Sequence, residues 1–333
     1  MIFFWNKVSL INGDERSVSF LVLTFFVALV DATSTVLYIP YVSTLSSRFM
    51  ISHLIGQSLS GLFPSIIAII QGSGQDEYHC WSNNTNISST PSPKFDNNSE
   101  QPLFSVSIFF VIMTILASIS WGSFLLLSNF NIFQIRNEPE IENESGKRKF
   151  SHNRKKNKLL LSKFNIYLFF FLEFLIATII YGLLPSIQPY SLAMFGTKIY
   201  HLTVILAVIS NPFGTFVGSF IPRLKLLPIS ICGAFFFAGY ILTSALHSPN
   251  RLFDTNPGQY IIMIAWILNN FLFSYSRACI TRILRQQENN HLMLFLGGAF
   301  QQTGSFISAL ITFFIVNFTK TFVSYNPCKD SLF

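Results

Sequence analysis

Residues 164–187 read FNIYLFFFLEFLIATIIYGLLPSI, and the fold turns on this stretch. Its one charged residue is Glu173, and the rest is almost wholly apolar. As a helix it would be about 36 Å long, enough to cross a hydrocarbon core of about 30 Å. Backbone polar groups find no water there, so a helix is the natural way across. Seven further stretches have the same character: 18–38, 50–72, 104–126, 199–220, 227–247, 258–280 and 293–317. The expected fold class is therefore an all-α polytopic membrane protein with about eight transmembrane helices. Half the residues are hydrophobic and only 11% are charged, which sets the chain apart from soluble domains. Its 38 Phe residues suit lipid-facing surfaces and carry no functional reading.

The formal charge of +7 is local. Residues 147–163 hold eight Lys or Arg and no acid; without them fourteen cations face fifteen acids. A basic cluster beside a helix belongs on the cytoplasmic side, against anionic lipid, and does not point to nucleic acid. Alternation then orders the chain. Residues 1–17 form an N-terminal segment on the outer side, without a signal-peptide pattern. The first three helices occupy 18–128, with an outer loop at 73–103. A basic cytoplasmic loop follows at 129–163, then five helices over 164–320, and an extracellular tail at 321–333.

The outer loop carries sequons at Asn83, Asn86 and Asn97, which read as glycosylation sites. Cys80 and Cys328 both fall outside, where a disulfide between them would tie the loop to the tail. Cys232 and Cys279 fall within helices, as small packing residues.

Several spans are interrupted by polar residues and Pro, which are costly in lipid unless they line a cavity or meet other protein. That pattern points to a path for a polar solute. The second span holds Gly56-Gln57-Ser58-Leu59-Ser60-Gly61-Leu62-Phe63-Pro64. The fourth ends Tyr181-Gly182-Leu183-Leu184-Pro185-Ser186-Ile187-Gln188-Pro189. The fifth opens with Tyr200-His201 and meets Ser210-Asn211-Pro212 in its middle, with a Gly214/Gly218 pair that reads as helix packing. Asp31 and Glu173 are the acids best placed within spans, as proton or ion coupling groups or as partners of Arg277. Zinc-spaced Cys/His sets and phosphate loops are missing, so an enzyme is not expected, nor a metal or cofactor.

These segments resemble the eukaryotic riboflavin transporters, solute carrier family 52. The matching stretches are Thr33-Ser34-Thr35 through Tyr38-Ile39-Pro40-Tyr41; Gly56 through Pro64 with Gln71-Gly72; Leu184-Pro185-Ser186-Ile187-Gln188; Tyr200-His201-Leu202; Asn211-Pro212; and Phe273-Ser274-Tyr275. The resemblance implies a major-facilitator-like bundle of eleven helices, of which this chain would align with the last eight, making it N-terminally incomplete. It also implies uptake of riboflavin across the plasma membrane by alternating access, with riboflavin as substrate, the lipid bilayer as surroundings and no cofactor.

A flat isoalloxazine and a hydroxylated chain call for aromatic faces and uncharged polar partners. Tyr38, Tyr181, Tyr200 and Tyr275 supply the first; Thr33, Gln57, Gln188, Asn211 and Gln301 the second. Two other readings stay open: a carrier of another planar polar solute such as a nucleoside, or a non-transporting membrane receptor or fragment. The oligomeric state is not legible in the sequence.

Overall fold

Long apolar runs become long helices in the computed structural model. It describes residues 9–11, 14–43, 47–71, 103–129, 162–221, 223–247, 256–287 and 289–323. A small antiparallel hairpin, β1 (Ser9–Ile11) and β2 (Asp14–Arg16), leads into the helices. The first group is α1 (Val18–Ser43), α2 (Ser47–Ser60), α3 (Leu62–Gln71) and α4 (Val106–Asn129). The second is α5 (Lys163–Ala177), α6 (Leu184–Leu192), α7 (Thr197–Phe220), α8 (Leu227–Leu246), α9 (Asn256–Arg285) and α10 (Asn290–Phe318). The sequons, Cys80, Cys328 and nearly all of the basic loop lie outside the described residues.

Among the described residues, seven segments are long and apolar enough to cross a membrane by length and composition. The eighth expected span, 258–280, lies within the 30-residue helix α9, whose Asn269, Asn270, Ser274, Ser276 and Arg277 lower its hydropathy. The reason is its position. α9 packs against α7, α8, α10 and α5, so protein rather than lipid faces much of its surface. Asn269 donates from Nδ2 to the Ala234 carbonyl (2.8 Å), and the hydroxyls of Ser230 and Ser276 meet at 2.9 Å. Lipid-facing helices instead expose large apolar side chains such as Phe25, Trp121, Phe213, Phe236 and Phe306.

The Pro-containing breaks are gentler than the sequence suggests. α2 and α3 part at Gly61, leaving Pro64 in the first turn of α3, where its missing N–H costs little. In the fourth span the helix does not stop at Pro185 and Pro189. Pro185 has no N–H, and its ring crowds the carbonyl four residues back. One wide turn, Thr178–Leu183, absorbs the conflict, with the Leu184 N–H donating to Ile179 O five residues back. The chain stays helical to Phe195 and ends at Gly196, whose φ of 85° suits a residue without Cβ. Pro212 likewise sits inside an unbroken α7.

Two close crossings hold the second group. On α7, a Cβ at Gly214 would overlap the Phe271 carbonyl oxygen, and one at Gly218 would lie 2.6 Å from Tyr275 O. Ser274 Oγ donates to Asn211 Oδ1 (2.7 Å), and Arg282 Nη1 to Ser219 O (2.7 Å), across the same α7–α9 seam. On α10, Gly304 meets the Phe174 carbonyl, and Ser308 Oγ donates to Thr178 O at 2.7 Å beside Gly182. Gly298 meets α1 at Val36. The hydroxyls of Ser58 and Thr215 join α2 to α7 at 2.8 Å. The contacts α1–α2, α2–α7, α7–α9, α9–α10 and α10–α1 therefore close a ring of five helices. α3 and α4 are clamped at one end, where Leu103 N–H donates to Gln71 O (3.0 Å) and Gln71 Nε2 to Phe104 O (2.9 Å).

Candidate functional site

A buried acid is stable only with a partner, and Glu173 on α5 has one. Arg277 on α9 brings its Nε to 3.8 Å from Glu173 Oε2, with side-chain exposures of 20% for Arg277 and 4% for Glu173. Neither of those two atoms makes a hydrogen bond, so the pairing is Coulombic. The other guanidinium nitrogens are engaged. Nη2 donates to Gln301 Oε1 on α10 at 2.7 Å, and Nη1 donates to the Tyr181 hydroxyl. The guanidinium carbon also lies 5.2 Å from the Tyr181 ring centroid, within reach of the ring's attractive face.

The fold places these groups at similar depth. Glu173 is ten residues from the start of α5, Gln301 eleven from the start of α10, and Arg277 eight from the end of α9. At 1.5 Å per residue, that is about 15, 16 and 12 Å inward from the same side. The wide turn Thr178–Leu183 presents Tyr181 next to the pair, and wide turns of this kind recur at functional sites.

The remaining expected residues divide. Tyr38 on α1 packs against His53 on α2 (ring centroids 6.4 Å) and edge-on to Phe124 on α4 (5.8 Å). Gln57, half-buried, follows His53 by one helical turn. Asn211 is held by Ser274, one turn before Arg277. Tyr275 is buried, and its hydroxyl accepts the Arg223 N–H at 3.2 Å, at the α7–α8 connection. Tyr200 lies in the first turn of α7 with His201 edge-on to it (5.3 Å), and Gln188 is half-buried on α6. Thr33 is exposed, its hydroxyl bonded to Leu29 O at 2.9 Å within its own helix.

Asp31 is exposed near the middle of α1 and has no ion pair among the described residues. Arg277 pairs with Glu173, not with Asp31. In the sequence Arg277 reads only as a counter-ion, and His53 does not stand out. The signal for Arg277 was a lone cation among the amides of a span; for His53 it was the four-residue spacing to Gln57. No group of three or more His, Cys, Asp or Glu able to hold a metal occurs among the described residues.

Long apolar helices around a polar site at mid-depth define a multi-pass, all-α membrane protein. The family model described as solute carrier family 52, riboflavin transporter, matches residues 1–324. "Solute carrier family 52, riboflavin transporter, member 3-A" of Danio rerio is 30% identical over 356 residues, covering 98% of this chain and 79% of that protein. Member 3 of Homo sapiens is 29% identical over 380 residues, covering 98% and 80%. "Riboflavin transporter rft-1" of Caenorhabditis elegans is 29% identical over 360 residues, covering 99% and 79%. No solved structure matches. The chain belongs to solute carrier family 52, a family of transporters and not of enzymes.

Proposed function

We propose that this chain carries riboflavin into the cell across the plasma membrane by alternating access, with its C-terminus extracellular and the loop at 73–103 glycosylated. The observation that carries the reading is the Arg277 constellation, set in a chain whose relatives are named riboflavin transporters. The pyrimidinedione edge of the isoalloxazine presents two carbonyl acceptors flanking an N–H donor. Arg277 and the Gln301 amide donate to the carbonyls, and the unbonded Glu173 Oε2 accepts from the N–H. Tyr181 offers an aromatic face beside them.

A site at mid-depth suits alternating access, because helices rocking about it expose it to each side in turn. Tyr38, Gln57, Asn211, Tyr275, Thr33, Gln188 and Tyr200 remain candidate contacts along the path. Asp31 and Glu173 are the candidate coupling groups.

The test is uptake of tritiated riboflavin by cells expressing this chain, with surface protein measured in parallel. Saturable uptake competed by riboflavin and not by nucleosides is expected. Surface-delivered protein without uptake above vector, or competition by nucleosides, overturns the reading. Asn211→Ala removes the acceptor of Ser274, a neutral hydrogen bond worth about 1 kcal/mol net. We expect it to reach the surface and to transport several-fold more slowly; wild-type uptake would exclude Asn211 from the site.

A further inference from the structure

The Arg277 constellation satisfies one end of a two-ended substrate. On α1 and α2, two members of the five-helix ring, stand three polar side chains that it does not use; Tyr38 also lies edge-on to Phe124 of α4, outside the ring. Tyr38 on α1 and His53 on α2 pack ring against ring at 6.4 Å, and Gln57 follows His53 on the same face of α2. The Tyr38 hydroxyl, the His53 ring nitrogens and the Gln57 amide make no hydrogen bond to another described residue. All three sit on membrane-spanning segments, where an unmade hydrogen bond is expensive.

The depth of the α2 pair matches that of the groups on α9 and α10. His53 and Gln57 lie six and ten residues from the start of α2, about 9 and 15 Å inward. Arg277 and Gln301 lie about 12 and 16 Å inward from the same side. α2 joins α7 through Ser58 and Thr215, α7 joins α9 through Asn211 and Ser274, and α1 joins α10 at Gly298. With neighbouring axes about 8–10 Å apart, opposite members of such a ring stand about 15 Å apart. That gap suits a molecule with a recognition group at each end.

We propose that His53, with Gln57 and Tyr38, binds the hydroxylated chain of the substrate and sets specificity for flavins that carry one. The inference rests on the flavin reading above. Its chemistry is specific. Each alcohol of such a chain both donates and accepts, as do a neutral imidazole, a primary amide and a phenol. The constellation across the ring, built on a full guanidinium charge, suits the carbonyl-rich ring edge instead.

The experiment measures riboflavin and lumiflavin binding to the purified full chain by quenching of flavin fluorescence. Lumiflavin keeps the ring system and replaces the hydroxylated chain with a methyl group. His53→Phe keeps an aromatic ring against Tyr38 and removes the polar atoms. It and Gln57→Leu are each expected to weaken riboflavin binding about tenfold, the loss of one to two hydrogen bonds, with lumiflavin within about twofold of wild type. His53→Gln restores a donor and an acceptor and is expected to recover most of the riboflavin affinity. Arg277→Gln is expected to weaken both flavins alike. If His53→Phe binds riboflavin as wild type does, or loses both flavins equally with an unchanged melting temperature, the assignment falls while the flavin reading stands. Failure of the wild-type chain to bind either flavin overturns the flavin reading itself, and this inference with it.

Discussion

Arg277→Ala is expected to destabilise the protein by about 3–5 kcal/mol, the usual cost of removing one partner of a buried ion pair. Glu173 is the reason. Its side chain is 4% exposed, its Oε2 makes no hydrogen bond, and Arg277 Nε at 3.8 Å is the one ion-pair partner it has among the described residues. Removing the cation strands a carboxylate in an apolar setting and deprives Gln301 and Tyr181 of their donor. On the proposed reading uptake also falls, to below about a tenth of wild type, because the charge-assisted hydrogen bonds proposed between Arg277 and the flavin are lost together.

The double variant Glu173→Gln/Arg277→Gln separates the two losses. It removes both charges, isosterically at Glu173 and with the loss of two heavy atoms at Arg277, so much of the stability should return, while uptake stays low. Thermal unfolding in detergent and surface-normalised uptake read the two effects. Wild-type melting of Arg277→Ala would show that Glu173 finds another partner. Recovery of uptake together with stability in the double variant would make the pair structural.

The helices themselves were plain in the sequence because membrane spans are written in composition. Residues 164–187 could hardly be anything else, and they lie within the observed segment from Lys163 to Phe195. The exception is instructive. α9 is less apolar than its neighbours because protein covers much of its surface, so Asn269, Ser274 and Ser276 bond to α7 and α8. Proline positions misled for a related reason. A proline removes one hydrogen bond, but whether the helix ends, widens or carries on depends on its neighbours. Pro185 is absorbed by a wide turn backed by Ser308 and Gly304 of α10, a contact more than a hundred residues away in the chain.

The candidate site was half legible for the same reason. Glu173, Tyr181 and Gln301 stood out as polar residues in apolar runs, but their convergence on Arg277 depends on how α5, α9 and α10 cross. Asp31 and Glu173 looked alike in sequence. The structure buries one beside a cation and leaves the other exposed on α1. Glycines show the same limit. Gly56 and Gly61 read as packing residues as readily as Gly214 and Gly218. Yet a Cβ at either of the first two would meet nothing within 4 Å.

That contrast carries the second large effect. Gly214→Ala and Gly218→Ala are each expected to cost about 1–3 kcal/mol, and together more, because the added methyl meets backbone and not a flexible side chain. The Phe271 carbonyl oxygen and Tyr275 O cannot rotate away, so α7 and α9 must separate. Separation stretches the Ser274–Asn211 and Arg282–Ser219 bonds that tie the seam. Small residues drive close packing between membrane helices because no hydrophobic gain is available there to compensate a gap.

Gly56→Ala is the internal control, expected to be neutral or stabilising by up to about 1 kcal/mol through helix propensity. The functional consequence follows from position. Arg277 lies between Tyr275 and Ala278, the two residues of α9 that a Cβ at Gly218 would meet. A shift of α9 therefore moves the guanidinium relative to Gln301 and Glu173. Uptake per surface molecule should fall in Gly218→Ala and hold in Gly56→Ala. Equal melting temperatures and equal uptake in the two variants would mean that the α7–α9 seam is looser than its geometry implies, and that Arg277 is positioned by α5 and α10 alone.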